Sequence, residues 1–298
     1  MPAIRGFSTL RARSYIFRLP LFTRAIIIAI LVFWILSIPS LWDLHQWGAL
    51  IPDKVTFATG KFLLENVGHL RPKPSLTLCI AYRLSTFPLI HLNVIHAVLN
   101  VVALTPLMER FENEYGTLTS LALFFGRKNT ISSAIWQSYA LTTVPALLYV
   151  VIEVGILRAN NAVMGASIWV FLLLGMEAIR TYRSNPHLVI GTYHIPTWTT
   201  PLLMIFVVAV LIPNTSLLGH LCGVAVGYIC GIGYLKFIAP PEWALRWIET
   251  RLNLLAVLPH YVSVDQKTYG RFGVLPSTTR SGGSNATELL GSTQRLGP

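Results

Sequence analysis

Long uncharged stretches alternate with short polar ones along this chain, and their lengths predict its elements. Between Arg24 and Asp43 runs AIIIAILVFWILSIPSLW, and a second such run separates Arg83 from Glu109. A third, between Arg158 and Glu177, contains NAVMGASIWVFLLLG. From Ser184 to Leu235 there is no Asp, Glu, Lys or Arg. That stretch predicts two helices, because Ile212-Pro213-Asn214-Thr215-Ser216 punctuates it. About 20 apolar residues cross a hydrocarbon core, so each of these predicted helices is long enough to be a membrane span.

Region 115–157 predicts one more span, in two apolar pieces, Leu118–Phe125 and Val144–Ile156. Segment 127–143 between them reads as an insertion in the third helix, and an unspliced intron in the gene model would leave this pattern. The expected fold class is therefore all-α: a polytopic membrane protein with six transmembrane helices over residues 25–238.

Composition turns the pattern into a class. Of 298 residues, 53% are hydrophobic and 12% charged, with a mean hydropathy of +0.59. A soluble protein carries about 25% charged residues. The length would allow two soluble domains, but the charge-free runs exclude them.

The net charge of +11 is distributed as topology. The arm 1–24 holds Arg5, Arg11, Arg13, Arg18 and Arg24 without an acidic residue. Arg180 and Arg183 fall between the fourth and fifth spans, and Lys236, Arg246 and Arg251 follow the sixth. Lys and Arg collect on the cytosolic side, so both termini are expected there and segment 43–88 becomes a lumenal first loop. The basic arm before a long apolar run reads as an uncleaved signal anchor. No basic cluster is interleaved with stacking aromatics, so no nucleic-acid partner is expected. Cys79, Cys222 and Cys230 form neither a disulfide framework nor a zinc spacing, and no metal or cofactor is expected.

Strongly polar side chains inside spans are costly and point to function. His96 and Asn100 fall in the second span, Ser167 in the fourth and His220 in the sixth. At 1.5 Å per residue all sit roughly 8–12 Å below the lumenal surface, with Ser167 about five residues into its helix. Gly165 precedes the serine, and Gly219, Gly223, Gly227 and Gly231 recur every four residues, so these helices can approach closely. A serine hydroxyl needs a base to take its proton, and a neutral imidazole can do so. No acidic residue lies at that depth, so the pair would be a dyad. Asn100, His96 and the Ser167 backbone N–H are candidate donors to an oxyanion. Water must reach this layer from the lumen, and segment 43–88 is long enough to form a lid or wall.

In order, these motifs resemble those of the rhomboid intramembrane serine proteases, from Tyr82 to Gly231. YRLSTFPLIHLNVIHAVLN is similar to an aromatic-Arg pair followed by H-x4-H-x3-N, giving Tyr82, Arg83, His91, His96 and Asn100. FENEYG (111–116) resembles the Glu-before-Gly cap that closes the second span. GASI (165–168) resembles G-x-S-G, and GHLCGVAVG (219–227) resembles A-H-x2-G-x3-G. The resemblance implies a rhomboid-like bundle with Ser167 as nucleophile, His220 as general base, and His96 and Asn100 at the oxyanion. Two positions depart from it. Ile168 stands where many members have Gly, whose loss can loosen or shift the contact between spans four and six, and Gly219 replaces the usual Ala; with the serine and histidine both kept, these read as variation rather than loss of activity. The layout most resembles fungal rhomboids of the Golgi. It implies a multi-pass protein of the Golgi membrane, or the endoplasmic reticulum, cleaving membrane-anchored proteins including sterol-regulatory transcription-factor precursors.

After the last span, PPEWALRWIETRLNLL (240–255) predicts an amphipathic helix within a juxtamembrane segment 239–259. Two placements stay open for it, the cytosolic interface or the cytosolic ends of the spans. Residues 260–298 are rich in Gly, Ser and Thr and predict a disordered cytosolic tail. The sequon Asn285-Ala286-Thr287 would then stay unmodified. LLGSTQRLGP bears a partial likeness to F-x-G-x-G-x2-L, the box that binds the ubiquitin-selective AAA ATPase. Leu289, Gly291 and Leu296 fit its spacing, with Leu289 in place of Phe and Thr293 in place of the second Gly. That likeness supplies the alternative function, a non-catalytic rhomboid-fold adaptor delivering membrane clients to the ATPase. The retained Ser–His pair favours the protease. A transporter would show inverted repeats and broken helices, and a zinc metalloprotease H-E-x-x-H; neither pattern is evident.

Overall fold

The computed structural model describes residues 15–38, 43–55, 82–125, 140–212 and 215–267. In chain order its helices are α1 (Leu21–Leu36), α2 (Leu44–Gly48), α3 (Val94–Tyr115), α4 (Thr117–Phe125), α5 (Ala140–Val150) and α6 (Ser167–Ser184). They continue with α7 (Thr200–Leu211), α8 (Leu217–Ile229), α9 (Leu235–Ile238), α10 (Glu242–Leu252) and α11 (Leu254–Val257). Helices α5 and α8 each run on through a wider π turn, Val151–Ile156 and Cys230–Tyr234.

One antiparallel hairpin corrects the all-α expectation: β1 (His187–Ile190) pairs with β2 (Tyr193–Pro196), His187 opposite Pro196 and Ile190 opposite Tyr193. Its β-prone residues flank Gly191, whose φ of 61° suits the left-handed turn of a two-residue hairpin.

Two helical stretches, Val94–Tyr115 and Leu217–Ile238, are long and apolar enough to cross a membrane; Leu21–Leu36, Leu141–Ile156 and Thr197–Leu211 are apolar but shorter. Outward-facing Ile28, Val102, Phe206 and Val210 are each more than half exposed. A water-soluble bundle rarely leaves so much apolar surface uncovered, whereas a lipid-facing one requires it. The interior is aromatic: Trp169 is fully buried and meets Phe124 and Phe125 edge-on, with ring centroids 5.3 and 5.8 Å apart.

The expected insertion at 127–143 lies outside the described residues as far as 139. The two helices that flank it touch. The Thr142 hydroxyl donates to the Phe124 carbonyl at 2.9 Å, as Ser120 does to Gly116 one turn back.

The far end of the bundle from Ser167 is organised by one carboxylate. Helix α1 starts at Pro20 without a side-chain cap, which would leave its first N–H groups orphaned. Fully buried Glu112 of α3 accepts them, from Phe22 N at 2.8 Å and Thr23 N at 2.7 Å. It also accepts from the hydroxyls of Thr23 and Thr117. Its carboxylate therefore caps α1, while α3 ends at Gly116, whose φ is 89°.

Residues 260–267, expected to begin a disordered tail, pack against this junction, because Tyr261 and Val264 are apolar enough to bury. Leu21 N–H donates to the His260 carbonyl at 3.0 Å, and Thr117 N–H to that of Val262 at 2.9 Å. Buried Glu249 of α10 accepts from the Tyr261 hydroxyl at 2.7 Å and Val264 N–H at 3.0 Å. Burial, then the Glu249 bond, pushes the Tyr261 pKa up. The inner face of α10 is thereby tied down, while Trp243 and Trp247 face outward.

Candidate active site

Ser167 is the first residue of α6, not a residue some way into a span. Gly165 sets that boundary. Its φ of 108° lies in a region costly to L side chains, and a Cβ there would stand 2.6 Å from His96 Cε1. Upstream, Leu50 and Val163 form an antiparallel bridge, so apolar residues expected to be helical are extended instead. The helix's own ladder begins with Trp169 and Val170 N–H donating to the Ala166 carbonyl. The Ser167 N–H therefore lies ahead of that ladder, at the positive end of the helix dipole.

His220 is the fourth residue of α8, whose start is capped by Ser216 accepting from Gly219 N–H. Its Nε2 lies 3.0 Å from Ser167 Oγ. The ring rests against Phe171, one turn after the serine, with centroids 4.4 Å apart. Its buried Nδ1 has no hydrogen-bond partner among the described residues, so packing against Phe171 orients it.

The contact between these helices is set backbone to backbone. A Cβ on Gly223 would stand 2.6 Å from the Ile168 carbonyl oxygen, and one on Gly227 2.1 Å from that of Leu172. Gly219 differs, since a Cβ there would meet side-chain atoms, Ser216 Oγ at 3.1 Å, Ser216 Cβ at 3.4 Å and Val163 Cγ1 at 3.5 Å. Ile168 takes part in this contact through its backbone. Its carbonyl makes the approach, while its side chain is buried in the core.

A cavity of about 340 Å³ adjoins the pair, lined by His96, Met164, Ser167, Ile168, Thr215 and His220 among others. His96 is held by Asn93, which caps α3 by accepting from His96 N–H at 2.8 Å. Asn100 is buried one turn further along α3 and donates to the His96 carbonyl at 3.0 Å. Its amide nitrogen lies 3.5 Å from where a Gly165 side chain would begin, two residues before Ser167. Among the described residues, no group of three or more His, Cys, Asp or Glu could hold a metal ion.

Several residues that support the site were not assigned roles from the sequence. His91 Nε2 accepts from Ala166 N–H at 3.2 Å, which fixes the neutral tautomer with Nδ1–H toward the Leu89 carbonyl. Gly165 N–H donates to the Phe87 carbonyl. Arg83 binds the carbonyls of Ala49 and Gln46 at 2.9 and 3.0 Å, and Tyr82 stacks on Trp47. His91, Tyr82 and Arg83 were visible only as motif letters. Phe171, at i+4 from the serine, carried no signal beyond its spacing.

Comparison with known proteins gives the family. Residues 79–237 match the model of the rhomboid domain. The chain belongs to the rhomboid family. A protein of Gibberella zeae named rhomboid-type serine protease 2 is 60% identical over all of this chain and 99% of its own length. Its namesake from Neurospora crassa is 54% identical over 98% of this chain and 95% of its own. Rhomboid-type serine protease B of Aspergillus fumigatus is 50% identical over 98% and 96%. The enzyme class of this chain is accordingly serine endopeptidase, and its domain is membrane-embedded.

Proposed function

We propose that this rhomboid-family enzyme cuts membrane-anchored proteins at a site sunk below the bilayer surface, with Ser167 and His220 as a catalytic dyad. The observation that carries the reading is the 3.0 Å separation of Ser167 Oγ and His220 Nε2 beside a cavity. His220 Nε2 takes the hydroxyl proton as Oγ attacks the scissile carbonyl carbon. The carbonyl electrons move to oxygen, and the oxyanion meets the Ser167 N–H, His96 and the free N–H of the Asn100 amide. Collapse returns the electron pair and expels the amine, which takes the proton from His220. Water then gives a proton to His220 as its oxygen attacks the acyl-enzyme carbonyl, and collapse expels Ser167 Oγ, which takes that proton back from His220 as the acid leaves.

The same reading has six spans with both termini in the cytosol, supported by the placement of Lys and Arg, and locates the enzyme in the Golgi membrane. Substrates of the sterol-regulatory precursor kind are inferred from family likeness. Trp243 and Trp247 suit the headgroup layer, where Trp concentrates. The adaptor alternative has no observation in its favour, and Leu289, Gly291 and Leu296 lie outside the described residues. The test is co-expression with a type I membrane-anchored reporter. Cleavage by the parent, lost in both Ser167→Ala and His220→Ala, is expected; equal cleavage by either variant overturns the dyad. Fluorescence microscopy of the tagged chain, overlapping a Golgi marker, tests the location.

A further inference from the structure

The loop that delivers Ser167 depends on a buried carboxylate outside the site. Glu153, on the π turn that ends α5, is 2% exposed. Its Oε1 accepts twice from Asn161, from the backbone N–H at 3.1 Å and from the side-chain amide at 2.6 Å. The backbone carbonyl of Glu153 accepts from Ala159 N–H at 2.9 Å. The Tyr149 hydroxyl, one turn earlier, donates to the Asn161 carbonyl at 2.8 Å. Asn161 is thus gripped at its N–H, its amide and its carbonyl by one helix. Arg158, with φ of 51°, makes the sharp exit that brings the chain back to this grip.

Around Asn161 the loop has further fastenings, in chain order. Asn160 exchanges two hydrogen bonds with Asp53, Val163 bridges Leu50, Gly165 binds Phe87 and Ala166 binds His91, and Ser167 follows. A side chain that merely filled the space at 153 would be apolar, since an unpaired buried carboxylate is costly.

We propose that Glu153 is a positioning residue for the reaction: through Asn161 it sets the register of loop 157–166 and so where Ser167 stands relative to His220. This rests on Ser167 being the nucleophile, which the parent and Ser167→Ala test separately by whether any labelling occurs. The effect is on the attacking geometry, about a 1 Å displacement being enough to cost on the order of a hundredfold in rate.

The test uses the full chain in detergent micelles, with a serine-reactive fluorophosphonate as probe and labelling resolved into its saturating rate and half-saturating concentration. Glu153→Ala and Asn161→Ala should each lower the saturating rate roughly ten- to a hundredfold, with the half-saturating concentration little changed. Asn161→Ala keeps the backbone N–H bond to Glu153, so the carboxylate retains a partner and this variant keeps the proposal testable where Glu153→Ala fails to fold. Glu153→Gln, whose amide oxygen still accepts from Asn161, should recover most of the rate. The double variant should be no slower than the slower single one, because both changes remove one contact. The proposal is overturned if Asn161→Ala labels within twofold of the parent. It is also overturned if the losses multiply in the double variant, or if the loss in either variant matches only its lower fraction of folded protein.

Discussion

Gly227 gives the sharpest test of how the two helices hold the reactive pair together. A Cβ at this position would stand 2.1 Å from the Leu172 carbonyl oxygen, 2.9 Å from its carbon and 3.0 Å from Met176 N. All three are backbone atoms of α6, so no side chain can swing away. A carbon needs roughly 3.3 Å from a carbonyl oxygen, so Gly227→Ala must part the helices by about 1 Å. Strain of this kind costs about 1–3 kcal/mol. His220 lies seven residues earlier, roughly 10 Å along a stiff helix, so much of the shift reaches it. The Ser167–His220 contact of 3.0 Å then stretches past hydrogen-bond range. Fluorophosphonate labelling should slow about 10- to 100-fold, because a 1 Å misplacement costs on that order. Gly219→Ala is the matched comparison, since its Cβ meets side-chain atoms, none nearer than 3.1 Å, and no backbone of α6. It should slow labelling less than about threefold. Labelling of Gly227→Ala at the parental rate, or equal losses in the two variants, would refute the packing account.

Gly165→Ala should abolish labelling or reduce it at least about a hundredfold, since the new methyl meets both a left-handed backbone and the His96 ring; activity near the parental level would show that the loop can rearrange. Asn100→Ala should lower turnover of a cleavable reporter roughly ten- to a thousandfold, the cost of one oxyanion donor, with unchanged turnover removing Asn100 from the reaction. Glu112→Ala removes the acceptor for four donors and should destabilise the detergent-purified protein by several kcal/mol, about 1–3 for each donor left unsatisfied; a melting temperature within a degree or two of the parent's contradicts this. Tyr261→Phe leaves Glu249 with one donor fewer, for a smaller loss of about 1–3 kcal/mol in the same melting assay.

The reactive pair was legible because the membrane makes polar side chains expensive, so Ser167, His220, His96 and Asn100 stood out from the apolar runs around them. Their surroundings were not. Hydropathy does not separate a buried extended segment from a buried helix, so Ala162, Val163 and Met164 read as part of a span. A left-handed Gly165 and the bridge to Leu50 start the helix at Ser167 instead. Asn100 shares a face with His96 by spacing, but its nearness to Gly165 depends on where α6 sits. Glu112 was visible as a motif letter. Its role as the cap of α1 was hidden, because the N–H groups it accepts lie some ninety residues away in the chain. Ile168 looked like a threat to helix contact, yet that contact uses its carbonyl and leaves the side chain to the core. Residues 260–267 were absorbed into a polar tail because their partners, Thr117 and Glu249, are contacts that composition does not reveal.

The central claim is that Ser167, activated by His220, is the nucleophile. Its most direct test is mass-spectrometric mapping of the adduct after full-length protein in native membranes reacts with a fluorophosphonate. The account predicts one modified peptide, carrying the added mass on Ser167, in the parent chain and none in His220→Ala. An adduct on any other serine, or undiminished modification of Ser167 without His220, would contradict it.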